Sequence, residues 1–165
     1  MKTAVFSFLR SGIDDMEILI LDDCSSDDTE QLALELTQLD RRISYRRHKK
    51  NLGHIATFNE GLNWASKKYF LIISADDVFY SKFLRWRLSF LDKNPNVVFS
   101  YSPVRVFFQS GEKGHISYPP IADRLADRVY SGEEFLRLSL TNRLCLPSRP
   151  LHNCANKLSK ESGPI

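Results

Sequence analysis

At 165 residues, 42% hydrophobic and 26% charged, the chain is ordinary for a globular protein and long enough for one domain with its own core. A net charge of +3, with no long tract of one sign, argues against a nucleic-acid partner. No apolar run approaches the ~20 residues that span a bilayer.

The first ten residues, Met1–Arg10, have too short an apolar portion for a secretory signal. It is broken by Ser7 and Arg10, so the segment reads as part of an amphipathic helix. Cys24, Cys145 and Cys154 form no metal-ligand spacing, as expected of reduced thiols in a cytoplasmic protein. A nucleophilic role for Cys24, beside two aspartates, is disfavoured.

Ile18 to Leu21 is apolar at every position, the pattern of a parallel strand buried on both faces. It runs into Asp22 and Asp23. The turn Asp22 to Asp28 carries helix-start chemistry, with Asp27 and Glu30 at capping-box spacing, and Leu32, Leu36 and Leu39 recur at helical spacing. Ile43 to Arg46 predicts a short edge strand. The basic run it opens (Arg41, Arg42, Arg46, Arg47, His48, Lys49, Lys50) reads as a solvated edge or turn.

Asn51-Leu-Gly53 predicts a turn before a helix with Ile55, Phe58, Leu62 and Ala65 on one face. Tyr69 to Ser74 is a second apolar strand that ends in adjacent carboxylates, Asp76 and Asp77. Aspartates resist strand interiors, so such a pair belongs at a sheet's rim, where open α/β sheets bind ligands. Two acidic strand ends point to a divalent cation and a polar ligand, since carboxylate oxygens suit Mg²⁺ or Mn²⁺. Ser81 is the expected cap of a helix striped by Leu84, Leu88 and Leu91 and stopped at Lys93-Asn-Pro95. A strand from Val97 to Ser102 follows.

The alternation predicts an α/β fold, a mainly parallel sheet with helices on both faces. Beyond it, Val104 to Phe108 and His115 to Tyr118 predict a hairpin. Ser131-Gly-Glu-Glu134 predicts a capped helix to about Leu140.

Three blocks, in this order and spacing, resemble the family 2 glycosyltransferases of the GT-A fold: Glu17-Ile-Leu-Ile-Leu-Asp-Asp-Cys-Ser-Ser-Asp-Asp-Thr29, Asn51-Leu-Gly-His-Ile-Ala-Thr-Phe-Asn-Glu-Gly61 and Tyr69-Phe-Leu-Ile-Ile-Ser-Ala-Asp-Asp77. The resemblance implies a nucleoside diphosphate sugar donor, UDP-sugar foremost. The acceptor would be a carbohydrate, lipid or protein, as in polysaccharide biosynthesis. It implies that Asp23 recognises the base, with Asp22 supporting it or capping the turn. Asp76 would approach the ribose, and Asp77, with Asp76 beside it, would hold the metal. Asn51, Gly53, Asn59 and Gly61 would fall along the nucleotide pocket. Gly53 is equally a turn glycine, and Asn59 a helix-surface amide.

Inverting transfer would follow, with a carboxylate deprotonating the acceptor hydroxyl. No residue matches the family's catalytic base. Glu133 and Glu134 fall at a helix start, and Asp123 and Asp127 are unplaced. The alternative is therefore a degenerate, non-catalytic nucleotide-sugar-binding domain. A nucleotidyltransferase would need a glycine-rich phosphate loop, and a response-regulator-like phosphatase a placed lysine; neither is found.

Members of the family begin with a further strand, which Lys2 to Gly12 does not supply, so a sheet short of its first strand and exposing an edge is expected. The expected organisation is a partial GT-A domain over 1–146 and an irregular or disordered tail over 147–165. Action on envelope precursors would place the protein at the inner membrane surface, with the Arg41 to Lys50 run as its peripheral contact.

Overall fold

The computed structural model describes residues 1–100, 104–107, 113–117, 129–140 and 151–153. The chain opens with helix α1 (Lys2–Leu9), then strand β1 (Ile18–Asp22), α2 (Thr29–Leu39), β2 (Ile43–Arg47), α3 (His54–Trp64) and β3 (Tyr69–Leu71). It continues with α4 (Ser81–Lys93), β4 (Phe99–Ser100), the pair β5 (Val104–Phe107) and β6 (Lys113–Ser117), α5 (Gly132–Leu140) and β7 (Leu151–Asn153).

β1 and β2 pair in parallel from Ile18↔Ile43 to Asp22↔Arg47, joined by the α2 crossover. Among the described residues this ladder has two strands, so the charged β2 and the apolar β1 each have one unpaired edge. β7 lies between β3 and β4 and runs antiparallel to both, so β3 and β4 are parallel to each other. β5 and β6 form the expected hairpin.

Two apolar clusters hold these elements. Val5, Leu36 and Ile43 are buried together, with Phe6, Leu9, Ile18 and Ile20 packed on them. Leu84 and Leu91 form the second cluster, packed by Phe8, Ile13, Tyr69 and Leu71. Helix α1 thus sends Phe6 and Leu9 to one cluster and Phe8 to the other, the amphipathic role its sequence predicts. Polar ties close the frame. Glu17 accepts hydrogen bonds from the Ser66 backbone N–H (2.7 Å) and hydroxyl (2.9 Å), anchoring the start of β1 to the turn before β3.

Between β1 and β3 no ladder forms among the described residues. An apolar cleft of about 520 Å³ separates them, lined by Leu19 and Leu21 of β1, Phe58 and Leu62 of α3, and Phe70 and Leu71 of β3. The expected α/β fold with a parallel strand pair and flanking helices is present, and among the described residues its strands fall into separate ladders. β1, apolar throughout, is only half-buried from Ile18 to Leu21.

Several local expectations are corrected. On α3, Phe58, Leu62 and Ala65 of the predicted stripe line the cleft, but Ile55 is 53% exposed and outside it, and Thr57 is the buried residue. Asp27 does not cap α2 as a capping box. Its carboxylate accepts from the Thr29 N–H only two residues on, a short Asx-type turn preceding the cap residue Asp28. Ser81 is the first residue of α4 rather than its cap, and Tyr80 takes the cap position without a side-chain bond. β3 stops at Leu71, short of Ser74. Leu151–Asn153, expected within an irregular tail, is a strand because β3 and β4 both offer it a backbone ladder. By contrast Ser131 does cap α5, its hydroxyl accepting the Glu134 N–H at 3.1 Å.

Candidate nucleotide-sugar site

The site is built where β1 ends. Asp22, the last residue of β1, turns its carboxylate inward, and that side chain is 0% exposed. One oxygen accepts the Ser25 N–H at 2.7 Å. The other accepts the Tyr45 hydroxyl at 2.9 Å and lies 3.2 Å from Arg47 Nε. Burial alone would push this carboxyl up. The hydrogen bonds from Ser25 and Tyr45 and the charge of Arg47 outweigh it and hold the group below the usual carboxylate range. Asp22 therefore organises the turn from beneath.

Asp23, one residue on, points the other way. Successive residues of extended backbone face opposite sides, so the two carboxylates diverge. Cys24, the next residue, takes a left-handed conformation, φ 67°, which an L-residue with a β-carbon adopts at a cost of roughly 1–2 kcal/mol. The Cys24 thiol is free and half-buried. Asp23 Oδ1 accepts the Leu52 N–H at 2.7 Å and faces His48 Nδ1 at 2.7 Å, and Oδ2 accepts the Gly53 N–H at 2.8 Å. The backbone bond from Leu52, followed by the His48 bond, lowers its pKa. Among the described residues three of about four lone-pair positions are engaged and the side chain is 21% exposed, which leaves one acceptor position on Oδ2.

The Asn51–Gly53 turn meets Asp23 directly. Asn51 Oδ1 accepts the Gly53 N–H at 3.0 Å, and Gly53 sits at φ 84°, ψ 157°, a region that side-chain-bearing residues rarely enter. Gly61, farther along α3, packs on β1. A β-carbon there would lie 3.2 Å from Leu21 Cδ1, so its role is close helix–strand approach. Asn59 is half-buried on α3.

The structure thus brings Asp23, Asn51 and Gly53 into one bonded cluster. Asp76 and Asp77 stand apart from it in sequence and sheet, in the turn beyond β3. There Asp77 N–H closes onto the Ser74 carbonyl at 3.1 Å, with Asp76 exposed and Asp77 half-buried. Among the described residues no group of three or more His, Cys, Asp or Glu side chains converges for a metal. Adjacent carboxylates still provide hard oxygen donors of the type Mg²⁺ and Mn²⁺ take, alongside phosphate and water oxygens.

Sequence reasoning missed His48 and Glu60. His48 Nε2 lies 2.7 Å from Glu60 Oε2, and Arg46 Nη1 lies 3.4 Å from Glu60 Oε1. His48 was visible only as one member of a basic run, and nothing in its spacing linked it to a glutamate on the next helix. Asp123, Asp127, Cys145 and Cys154 lie outside the described residues.

The profile of Glycosyl transferase family 2 matches residues 1–146, and the chain belongs to that family. Its α/β core, with a parallel pair and flanking helices, is of the GT-A type that this family carries. An uncharacterized glycosyltransferase of Rickettsia conorii is 32% identical over 145 residues, 88% of this chain and 22% of its own length. One from Rickettsia felis is 30% identical over the same shares. A third, from Haemophilus influenzae, is 32% identical over 94 residues, 57% of this chain and 29% of its own length. The chain spans about a fifth of the length of the rickettsial relatives. No helix among the described residues is long and apolar enough to cross a membrane.

Proposed function

We propose that this glycosyltransferase domain binds a nucleoside diphosphate sugar, with UDP as the favoured nucleotide, and presents it for inverting transfer to an acceptor hydroxyl. The observation that carries this reading is the Asp23 carboxylate. It is held at the tip of β1 by two backbone N–H groups and a histidine, which leaves one acceptor position to take a ring N–H. Uracil offers such an N–H, and a fixed carboxylate discriminates for it.

Asp76 and Asp77 are the proposed ribose and metal contacts. A bound Mg²⁺ or Mn²⁺ would neutralise charge on the departing diphosphate. Asn51 and Gly53 shape the wall against which the nucleotide lies, and Asp22 keeps the turn in place. The acceptor is a carbohydrate, lipid or protein hydroxyl, and polysaccharide assembly on the cytoplasmic side is the process proposed. The basic run Arg41 to Lys50 is the proposed peripheral contact with the inner membrane surface. Loss of liposome flotation on neutralising it is the expected result.

A degenerate, non-catalytic domain is the second reading. It is favoured by Glu133 and Glu134, which occupy the first turn of α5, where capping and the helix dipole account for acidic residues.

Calorimetric titration of UDP, with GDP as control, with and without Mn²⁺, on the protein and on Asp77→Ala, tests the reading. Metal-dependent UDP binding that Asp77→Ala abolishes supports it. A folded protein that binds neither nucleotide overturns it. UDP binding without donor hydrolysis or transfer selects the non-catalytic form.

A further inference from the structure

We propose that His48, clamped between Asp23 and Glu60, is a positioning residue that fixes the Asp23 carboxylate for base recognition. This rests on the nucleotide reading above and deepens it. His48 is the first residue past β2, and its backbone N–H donates to the Asp22 carbonyl at 2.9 Å, which extends the β1–β2 ladder by one bond. That bond hangs the imidazole directly behind Asp23, with only 9% of the side chain exposed.

Both ring nitrogens face carboxylate oxygens at 2.7 Å, Asp23 Oδ1 on one side and Glu60 Oε2 on the other. A neutral imidazole has one donor and one lone pair, so one of these contacts would set a lone pair against a carboxylate. Only the imidazolium donates to both. The result is an alternating row of charges, Arg46, Glu60, His48 and Asp23, that joins β2, α3 and the end of β1. Asp23 from β1 and Glu60 from α3 are the charged groups facing the ring, with Arg46 on its own strand reaching Glu60.

Their hydrogen bonds, that of Asp23 first, raise the imidazole pKa above its ordinary 6.5. A raised value means the clamp is complete at low pH and is lost as pH rises through the folded-state pKa. When it opens, one ring N–H is left for two carboxylates, so Asp23 keeps its backbone anchors at Leu52 and Gly53 but shares with Glu60 the bond that sets its rotation. The free lone pair on Oδ2 then no longer points at one place.

The test is UDP affinity, measured with Mg²⁺ from pH about 6 to about 9 to span a raised imidazole pKa, on the protein and on His48→Gln, Glu60→Gln and Asp23→Asn. Circular dichroism and thermal melts check that each folds. The proposal expects the unmodified protein to lose about tenfold in affinity across the range. His48→Gln should be weaker at the acidic end and flat with pH, and Glu60→Gln should move the midpoint toward that of an ordinary histidine. A folded His48→Gln that keeps both the affinity and the slope overturns it. If His48→Gln does not fold, an unmoved midpoint in Glu60→Gln overturns it instead. Asp23→Asn separates the two ideas: unchanged UDP binding in that variant sinks the nucleotide reading, and the positioning role with it. Binding lost in Asp23→Asn but intact in His48→Gln sinks the positioning role alone.

Discussion

Gly53 donates its backbone N–H to Asp23 Oδ2 at 2.8 Å, so the turn that opens α3 is tied to the residue just past β1. Gly53 holds φ 84°, ψ 157°, and among the described residues no atom beyond its chain neighbours lies within 4 Å of the place a β-carbon would occupy. Space is therefore available and conformation is the constraint.

Gly53→Ala is expected to cost on the order of 1–3 kcal/mol, the price of a residue forced into a glycine-only region. Denaturant unfolding checks it. Because the turn would relax away from Asp23, UDP affinity should fall in parallel. Stability within error of the parent would show that the turn adopts an ordinary φ in solution.

How much of this was legible in the chain depends on whether the contacts are local. β1, the leucines of α4, the β5–β6 hairpin and the Ser131 cap follow from periodicity and from residues within a few positions of one another, whereas on α2 burial falls on Ala33 and Leu36 and Leu39 is 66% exposed. Asp23 was singled out by resemblance. The opposite aims of Asp22 and Asp23 follow from strand alternation, whereas the left-handed turn at Cys24 just after them has no glycine or asparagine to signal it. His48 and Glu60 meet through the packing of α3 beside β2, which no spacing rule encodes. The departure of Ile55 from the covered face of α3 escaped for a related reason. Leu62 and Phe58 face a cleft between two strands rather than a continuous sheet, so the apolar count alone did not indicate which residues end up covered.

Asp22 and Asp76 should separate structure from function. Asp22→Ala strips the acceptor from Ser25, Tyr45 and Arg47 in a buried turn, and a loss of about 2–4 kcal/mol is expected. Asp76 is exposed, and Asp76→Ala should stay within about 0.5 kcal/mol of the parent while weakening nucleotide binding. Paired chemical melts and UDP titrations read both. Equal stability losses would contradict the division of labour between the two strand ends.

Tyr45 supplies an alkaline signature. Burial first, then its hydrogen bond to the Asp22 carboxylate, pushes the phenol up to about 12. The folded value is raised above the ordinary 10.0, so this contribution is whole below pH 10 and is lost as pH climbs toward 12. Stability of the unmodified protein should fall across that window more steeply than that of Tyr45→Phe. The variant should itself be about 1 kcal/mol less stable at neutral pH, where the hydrogen bond is missing. Absorbance at the phenolate band should show one late-titrating tyrosine disappearing with the substitution. Identical alkaline slopes would mean that Tyr45 does not hold its proton against Asp22.

Arg87 lies on the face of α4 that also carries the buried Leu84 and Leu91, and it is 3% exposed. Among the described residues its Nη1 has no hydrogen-bond partner and no carboxylate pairs with it, and burial pushes the guanidinium pKa down. A buried cation without a counter-charge opposes folding, since desolvation is uncompensated. Arg87→Met keeps the length and the apolar stem and removes the charge. It is expected to raise stability by on the order of 1 kcal/mol, read as a higher denaturant midpoint at unchanged slope. A loss of more than about 2 kcal/mol would show instead that the guanidinium is paired in the folded protein, because breaking a buried pair is what costs that much.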